Sequence, residues 1–292
     1  MRLSTLRLPG GMTGAHTTAA AVLSQEGWRV LPHADVGGLL RAEDGLRQAR
    51  RELEWPTPST EVVPVGQAEH APVLTTARKI VCCGHNYRAH ILEMGREIPA
   101  HPTLFTKFAD TLAGPYDPVE VPEWAGGLDW EAELAVVVGE PVYRAGKSAA
   151  VAAVAGYTAA NDLSVREWQY HTSQWLPGKA FDGTTPLGPV LVTPDEFDPS
   201  AGVEISCHVN GDTVQRADTA DLVFDAGDLI AYVSQFTRLG PGDVVLTGTP
   251  AGVGAAGKPP RSLADGDVVE VRVAGIGTLR NKIRLLAPTP IH

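Results

Sequence analysis

Glu131 and Glu133 stand two residues apart in "LDWEAELAVVVG" (residues 128–139), and a period of two places both on one strand face with Ala135 and Val137. The opposite face carries Trp130, Ala132, Leu134 and Val136, so the sheet is expected to be covered on both sides. Two buried carboxylates repel each other, and each alone is costly to bury. The pair therefore calls for a positive charge or a cleft. Asp162 ends the strand expected from "YTAANDLS" and supplies a third carboxylate. Three carboxylates meeting at a point bind a hard cation, Mg²⁺ or Mn²⁺, through oxygen, and leave about half of a roughly six-membered shell open. The competing use of a bare Glu-x-Glu is cross-strand ion pairing with Arg or Lys.

His90 and Glu93 fall on one face of a short helix expected in "NYRAHILEMG", with Asn86 as a candidate cap and Gly95 as its stop. A Glu that accepts from one imidazole nitrogen fixes the tautomer and makes the other nitrogen a base for water. A surface helix pair and metal ligation are the alternatives. Lys179, in "LPGKAFDG", is either a cation for an anionic intermediate or a surface lysine. Arg166, Gln169 and Tyr170 share a helix face just after Asp162 and either present donors to a carboxylate or face solvent. The loop "TGTPAGVGAAGK" (247–258) matches G-x-G-x-x-G and resembles a Walker loop, but Pro259 and Pro260 follow it. No helix N-terminus can then receive a phosphate, and proline offers no hydroxyl to Mg²⁺. The better reading is a glycine-rich turn whose backbone N–H groups and Thr249 hydroxyl face a small anion.

The elements that must position these residues are mostly strands. Residues 1–75 read as two or three short strands, a polar helix over 35–53 and a proline-rich crossover, "WPTPSTEVVPVGQAEHAP", and are taken as a small N-terminal α/β domain. Residues 76–292 form the larger domain, mostly β with some α, including an Asn-Gly hairpin at 210–211. Gly and Pro, 31 and 23 residues, favour many turns over helical bundles. A net charge of −10 argues against nucleic acid or anionic membrane as a partner. No apolar run is long enough for a span, and no signal peptide is read at the N-terminus. Three cysteines, Cys82, Cys83 and Cys207, without a spaced framework, point to reduced thiols and a cytoplasmic address.

Taken in order, "KIVCCGHNYRAHILEMG", "LDWEAELAVVVG", "GYTAANDLSVREWQ", "LPGKAFDGTTPLGP", "VNGDTVQ" and "GDVVLTGTPAGVG" resemble the fumarylacetoacetate hydrolase family over residues 78 to about 285. The resemblance implies a mixed β-sandwich roll around the active site, a homodimer and a divalent metal, typically Mg²⁺. It assigns Glu131, Glu133 and Asp162 as metal ligands, Lys179 as the active-site lysine, and Arg166, Gln169 and Thr249 as substrate-binding residues. It makes His90 and Glu93 a dyad on a lid. The activity it implies is hydrolysis of a carbon–carbon bond in a 2,4-dioxo acid, an acylpyruvate of the kind met in aromatic-compound catabolism. The dyad would activate water, and the metal and Lys179 would stabilise a pyruvate enolate. Oxaloacetate decarboxylation, or hydratase or isomerase chemistry on a 2-oxo acid, uses the same site and is the alternative. His85, in "CGHNY", departs from the residue found in many members.

Overall fold

The computed structural model describes residues 1–9, 17–93 and 95–287, with the side chain of Glu93 outside that description. Among the described residues, twelve strands form one sheet and five form a second. The long path of the large sheet runs Val62–Val63, Trp28–Val30, Thr17–Leu23, Arg2–Leu8, Thr185–Val192, Val154–Asn161, Ala132–Val138, Val244–Leu246, Ile80–Gly84, Thr103–Lys107. The second sheet runs Asp212–Asp218, Glu204–Val209, Val268–Val273, Gly277–Leu286, Val119–Pro122. Helices are few and short. This is the expected α+β fold, mainly β.

Alternation along Ala132–Val138 decides what covers each face of the large sheet. Leu134 and Val136 join a core with Ile205, Cys207, Val269 and Val271 of the second sheet. Ala135 and Val137 join another with Val36, Leu39 and Leu40 of an N-terminal helix and with Leu74, Ile80 and Cys82. The strand is thus covered on both sides, as its composition requires. Hydrogen bonding crosses the boundary expected near residue 75: Arg2–Leu8 pairs antiparallel with Thr185–Val192, Leu3 opposite Leu191.

Two expected elements are interrupted. The polar helix over 35–53 is two helices, Val36–Arg41 and Gly45–Glu54, the first capped by Asp35. A Cβ on Gly45 would lie 1.7 Å from the Leu39 carbonyl oxygen, so the chain reverses tightly at a residue without a side chain. The strand expected over 128–139 is Leu128–Asp129, paired with Ser164–Val165, then Ala132–Val138. Trp130 and Glu131 lie between them. The helix expected just after Asp162 is a single turn, Arg166–Gln169. The Asn-Gly hairpin is present, with Asn210 and Gly211 both left-handed, φ 52° and 90°.

Candidate active site

Strand pairing brings the three carboxylates together. Ala132–Val138 runs antiparallel to Val154–Asn161 with Ala132 opposite Asn161, and the Asp162 N–H donates to the Glu131 carbonyl at 2.9 Å. Carboxylate oxygens of Glu131, Glu133 and Asp162 lie within 4.8 Å of one another, and all three residues are buried. On the other side of Ala132–Val138, Val244–Leu246 leads into the T-G-T-P loop. The Gly248 N–H there donates to Glu133 Oε2 at 2.6 Å. Gly248 has φ +99°, and a Cβ on it would meet the Cys83 carbonyl oxygen at 2.8 Å. The loop's glycine-rich continuation does receive anions, but they are the protein's own. Asp129 accepts from the N–H groups of Gly254 and Ala255 at 2.7 and 3.0 Å.

Three buried cations face these carboxylates. Lys179, in the short helix Leu176–Lys179, donates to Glu131 Oε2 and Asp162 Oδ2, both at 2.8 Å. Lys107 donates to Asp162 Oδ1 at 2.6 Å. Arg166 pairs with Asp129 at 2.8 Å and Glu131 at 2.7 Å, and also donates to Gln169 Oε1 at 2.7 Å. Burial opposes charge on Lys179 and Arg166, yet the adjacent carboxylates outweigh it and raise both above their ordinary values. Burial would likewise raise Asp162, but Lys107 and Lys179 hold it below the usual carboxylate range. Glu133 goes the other way. Burial first, then the charges of Asp162 and Glu131, push its carboxyl well above that range.

The donor set fits a divalent cation. All three groups offer oxygen, which suits a hard ion. Each carboxylate oxygen keeps a second lone-pair direction beyond its present hydrogen bond. Buried carboxylates (Asp129, Glu131, Glu133, Asp162) outnumber buried cations (Lys107, Lys179, Arg166) here by one. Glu133 resists ionisation for want of that positive charge.

A cavity of about 360 Å³ opens onto this group, and its lining includes Glu131, Arg166, Gln169, Lys179, Thr249 and His90. Trp175 also lines it, whereas Gln174 and residues 1–75 do not contribute to its lining among the described residues. His90 sits on the helix Arg88–Glu93. Its expected partner, Glu93, has its side chain outside the described residues. Asn86 is not this helix's cap. Its amide donates to the carbonyls of Phe224 and Thr247 and accepts the Phe224 N–H, all between 2.8 and 2.9 Å. The first turn is served instead by Asp221, which accepts the Ala89 N–H at 2.9 Å.

Sequence reasoning did not single out Asp129, Lys107 or Gln215. Asp129 extends the Glu131–Glu133 alternation back by one step, and Lys107 is a lysine at the end of an otherwise uncharged strand. Both signals were present. Gln215 had none beyond its motif. Its Oε1 accepts the Ala132 N–H, and its Nε2 donates to Thr249 Oγ1 and the Pro250 carbonyl, all at 2.9 Å. The Ala132 N–H can only donate and the Pro250 carbonyl can only accept, so the amide has one orientation. Thr249 must therefore accept from Gln215, and its own proton is directed elsewhere, with the cavity alongside. Arg166 Nη2 is likewise buried and without a hydrogen-bond partner. Arg166 and Thr249 both line the cavity, and two such donor residues suit a carboxylate ligand.

These arrangements meet known proteins consistently. The fumarylacetoacetate (FAA) hydrolase C-terminal model matches residues 79–284. The human mitochondrial oxaloacetate tautomerase FAHD2A is 43% identical over 255 residues, covering 87% of this chain and 80% of that protein. The rat mitochondrial oxaloacetate tautomerase Fahd2a is 42% identical over 254 residues, with the same shares covered. Among solved structures, the fumarylacetoacetate hydrolase of Exiguobacterium antarcticum superposes with a TM-score of 0.82 at 30% identity, covering 97% of this chain and all of that one. The 5-carboxymethyl-2-hydroxymuconate delta-isomerase of Mycobacterium smegmatis gives 0.77 at 31%, covering 98% of this chain and all of that one. With the acidic triad buried at the strand ends and the model match spanning every element that carries it, the chain belongs to the fumarylacetoacetate hydrolase family.

Proposed function

We propose that this chain is a divalent-metal-dependent tautomerase or isomerase of a 2-oxo acid of the oxaloacetate class, moving a proton between an enol oxygen and C3. The reading rests on the 43% identity to the human oxaloacetate tautomerase across 80% of that protein. It replaces carbon–carbon hydrolysis as the first choice. A cation held by Glu131, Glu133 and Asp162 would supply Lewis acidity to a chelating carboxylate and 2-oxo oxygen. The chain's own groups do the rest. The Arg166 guanidinium and the Thr249 hydroxyl, on the cavity wall, bind and orient the C1 carboxylate. Lys179, kept charged by Glu131 and Asp162, offsets negative charge developing on the enolate oxygen. His90, on the cavity wall, delivers or removes the proton at C3. Enol-to-keto conversion then loses one proton from oxygen and gains one at carbon, and no water is consumed.

Hydrolysis stands as the second reading, favoured by the likeness to the Exiguobacterium hydrolase. The test is to follow loss of enol-oxaloacetate absorbance with Mg²⁺- or Mn²⁺-loaded protein while measuring pyruvate, and to assay acylpyruvates in parallel. Accelerated enol loss without pyruvate supports tautomerisation. Pyruvate from oxaloacetate would instead mean decarboxylation. Acylpyruvate cleavage without enol turnover would restore the hydrolase.

A further inference from the structure

Three cations line the cavity: Arg166, Lys179 and Arg96. The first two are bound to carboxylates of the protein. Arg96 is different. Among the described residues no carboxylate pairs with it, and its hydrogen-bond partner is neutral: Nη1 donates to His85 Nε2 at 3.1 Å.

That bond fixes the imidazole. A guanidinium only donates, so Nε2 must accept, and the ring proton lies on Nδ1. Burial and the Arg96 charge both disfavour a protonated ring. The result is a neutral donor beside an uncompensated cation. His85 is also held in an uncommon conformation. Its φ is 53°, which a non-glycine residue adopts only when its surroundings impose it. The surroundings do so. On one side the three hydrogen bonds of the Asn86 amide anchor the chain. On the other, a Cβ on Gly84 would sit 2.6 Å from the Trp175 ring, so chain and ring are in close contact. The His85 ring meets the edge of Trp175, with centroids 5.6 Å apart. A strained, braced residue on a cavity wall that orients an arginine is a built feature.

Charge balance says what it is built for. Once Glu133 is ionised, as metal binding requires, the four buried carboxylates and three buried cations sum to one negative charge, and a divalent cation would bring them to one positive charge. That matches one carboxylate. Arg96 adds the charge for a second.

We infer that Arg96, oriented by His85, is the specificity determinant that receives the far carboxylate of a 2-oxo dicarboxylic acid. The inference rests on the proposed 2-oxo acid reading. Arg96 binds the second carboxylate with guanidinium N–H groups not used on His85, while the first carboxylate goes to Arg166 and Thr249. His85 acts through Arg96 and is a positioning residue.

The test compares binding of two ligands to Mg²⁺-loaded wild type and Arg96→Gln by calorimetry. Oxalate carries the chelating end alone, and oxaloacetate carries both ends. Arg96 is exposed, and a melting curve checks that the variant is folded. The expected result is a loss of about tenfold or more in oxaloacetate affinity, with oxalate within about twofold of wild type. Arg96→Lys, a point charge without the fork, should recover only part of the loss. His85→Ala should lose oxaloacetate affinity while leaving oxalate unchanged. Equal losses for both ligands in Arg96→Gln, or none for either, would overturn the inference. Failure of the tautomerase reading would show separately, as absent enol turnover in the wild type.

Discussion

Glu133 has the environment most hostile to its own charge. Burial, Asp162 and Glu131 all raise its carboxyl above the ordinary range, and the Lys179 charge and the Gly248 N–H only partly compensate. In metal-free protein the folded state therefore holds this proton more tightly than the unfolded chain does. Its contribution to stability is complete below the unfolded carboxylate value, about pH 4, and is lost as pH rises through the raised folded value. Glu133→Gln keeps the shape and removes the charge. Metal-free Glu133→Gln is expected to melt above metal-free wild type at about pH 8, with the gap closing toward about pH 4. A cation must expel the same proton, so wild-type Mg²⁺ affinity should rise with pH over this range, and the variant should lose both the affinity and its pH dependence. Melting curves with and without Mg²⁺ at several pH values measure both. A variant less stable than wild type throughout would mean that Glu133 is ionised and satisfied without metal.

Between elements, the site depends on connections that join strands distant in sequence. The triad itself was legible because its information is local. The two-residue spacing of Glu131 and Glu133 and the strand end at Asp162 each follow from alternation. The break at Trp130 was not, since it follows from Asp129 being drawn to the N–H groups of Gly254 and Ala255, 125 and 126 residues away. Asn86 looked like a cap because sequence shows only its neighbours, and its partners Phe224 and Thr247 lie over 130 residues on. Lys179 could be read as a surface lysine for the same reason, since its partners Glu131 and Asp162 are not its sequence neighbours. Gln215 is the clearest such link, joining Ala132 to the Thr249 loop. Gln215→Glu keeps an acceptor for Ala132 but cannot donate, so the Thr249 hydroxyl turns inward to serve it. That should raise KM for the proposed 2-oxo acid about tenfold, as should Thr249→Val, in line with the loss of one hydrogen bond to a charged group. Because both changes remove the same donor, the double variant should be no worse than either single one. Additive losses would show that Gln215 does not act through Thr249.

At the scale of the molecule, the N-terminal residues share a sheet face with Glu133. Alternation puts Glu133 on the face of Ala135 and Val137. Farther along that face, Val36, Leu39, Leu40 and Leu74 close over Ala135 and Val137 in one core. The sequence suggested a separable unit of residues 1–75, since composition changes there and no catalytic cluster precedes it. The cross-boundary pairing of Arg2–Leu8 with Thr185–Val192 was invisible, because a strand's sequence does not name its partner. A chain begun at residue 76 would uncover the strand edge at Thr185–Val192 and the apolar face beside Glu133 together. Each large apolar side chain so exposed forgoes roughly 1.5–3 kcal/mol, and several such losses exceed the usual 5–15 kcal/mol net stability of a folded protein. The shortened chain is expected to aggregate or bind hydrophobic dye, and to take up no Mg²⁺ in calorimetry. The intact chain should unfold in one transition seen alike by near-ultraviolet circular dichroism and by calorimetry. A soluble shortened chain with native melting and Mg²⁺ binding would show instead that the N-terminal residues are an appendage to a self-sufficient catalytic unit.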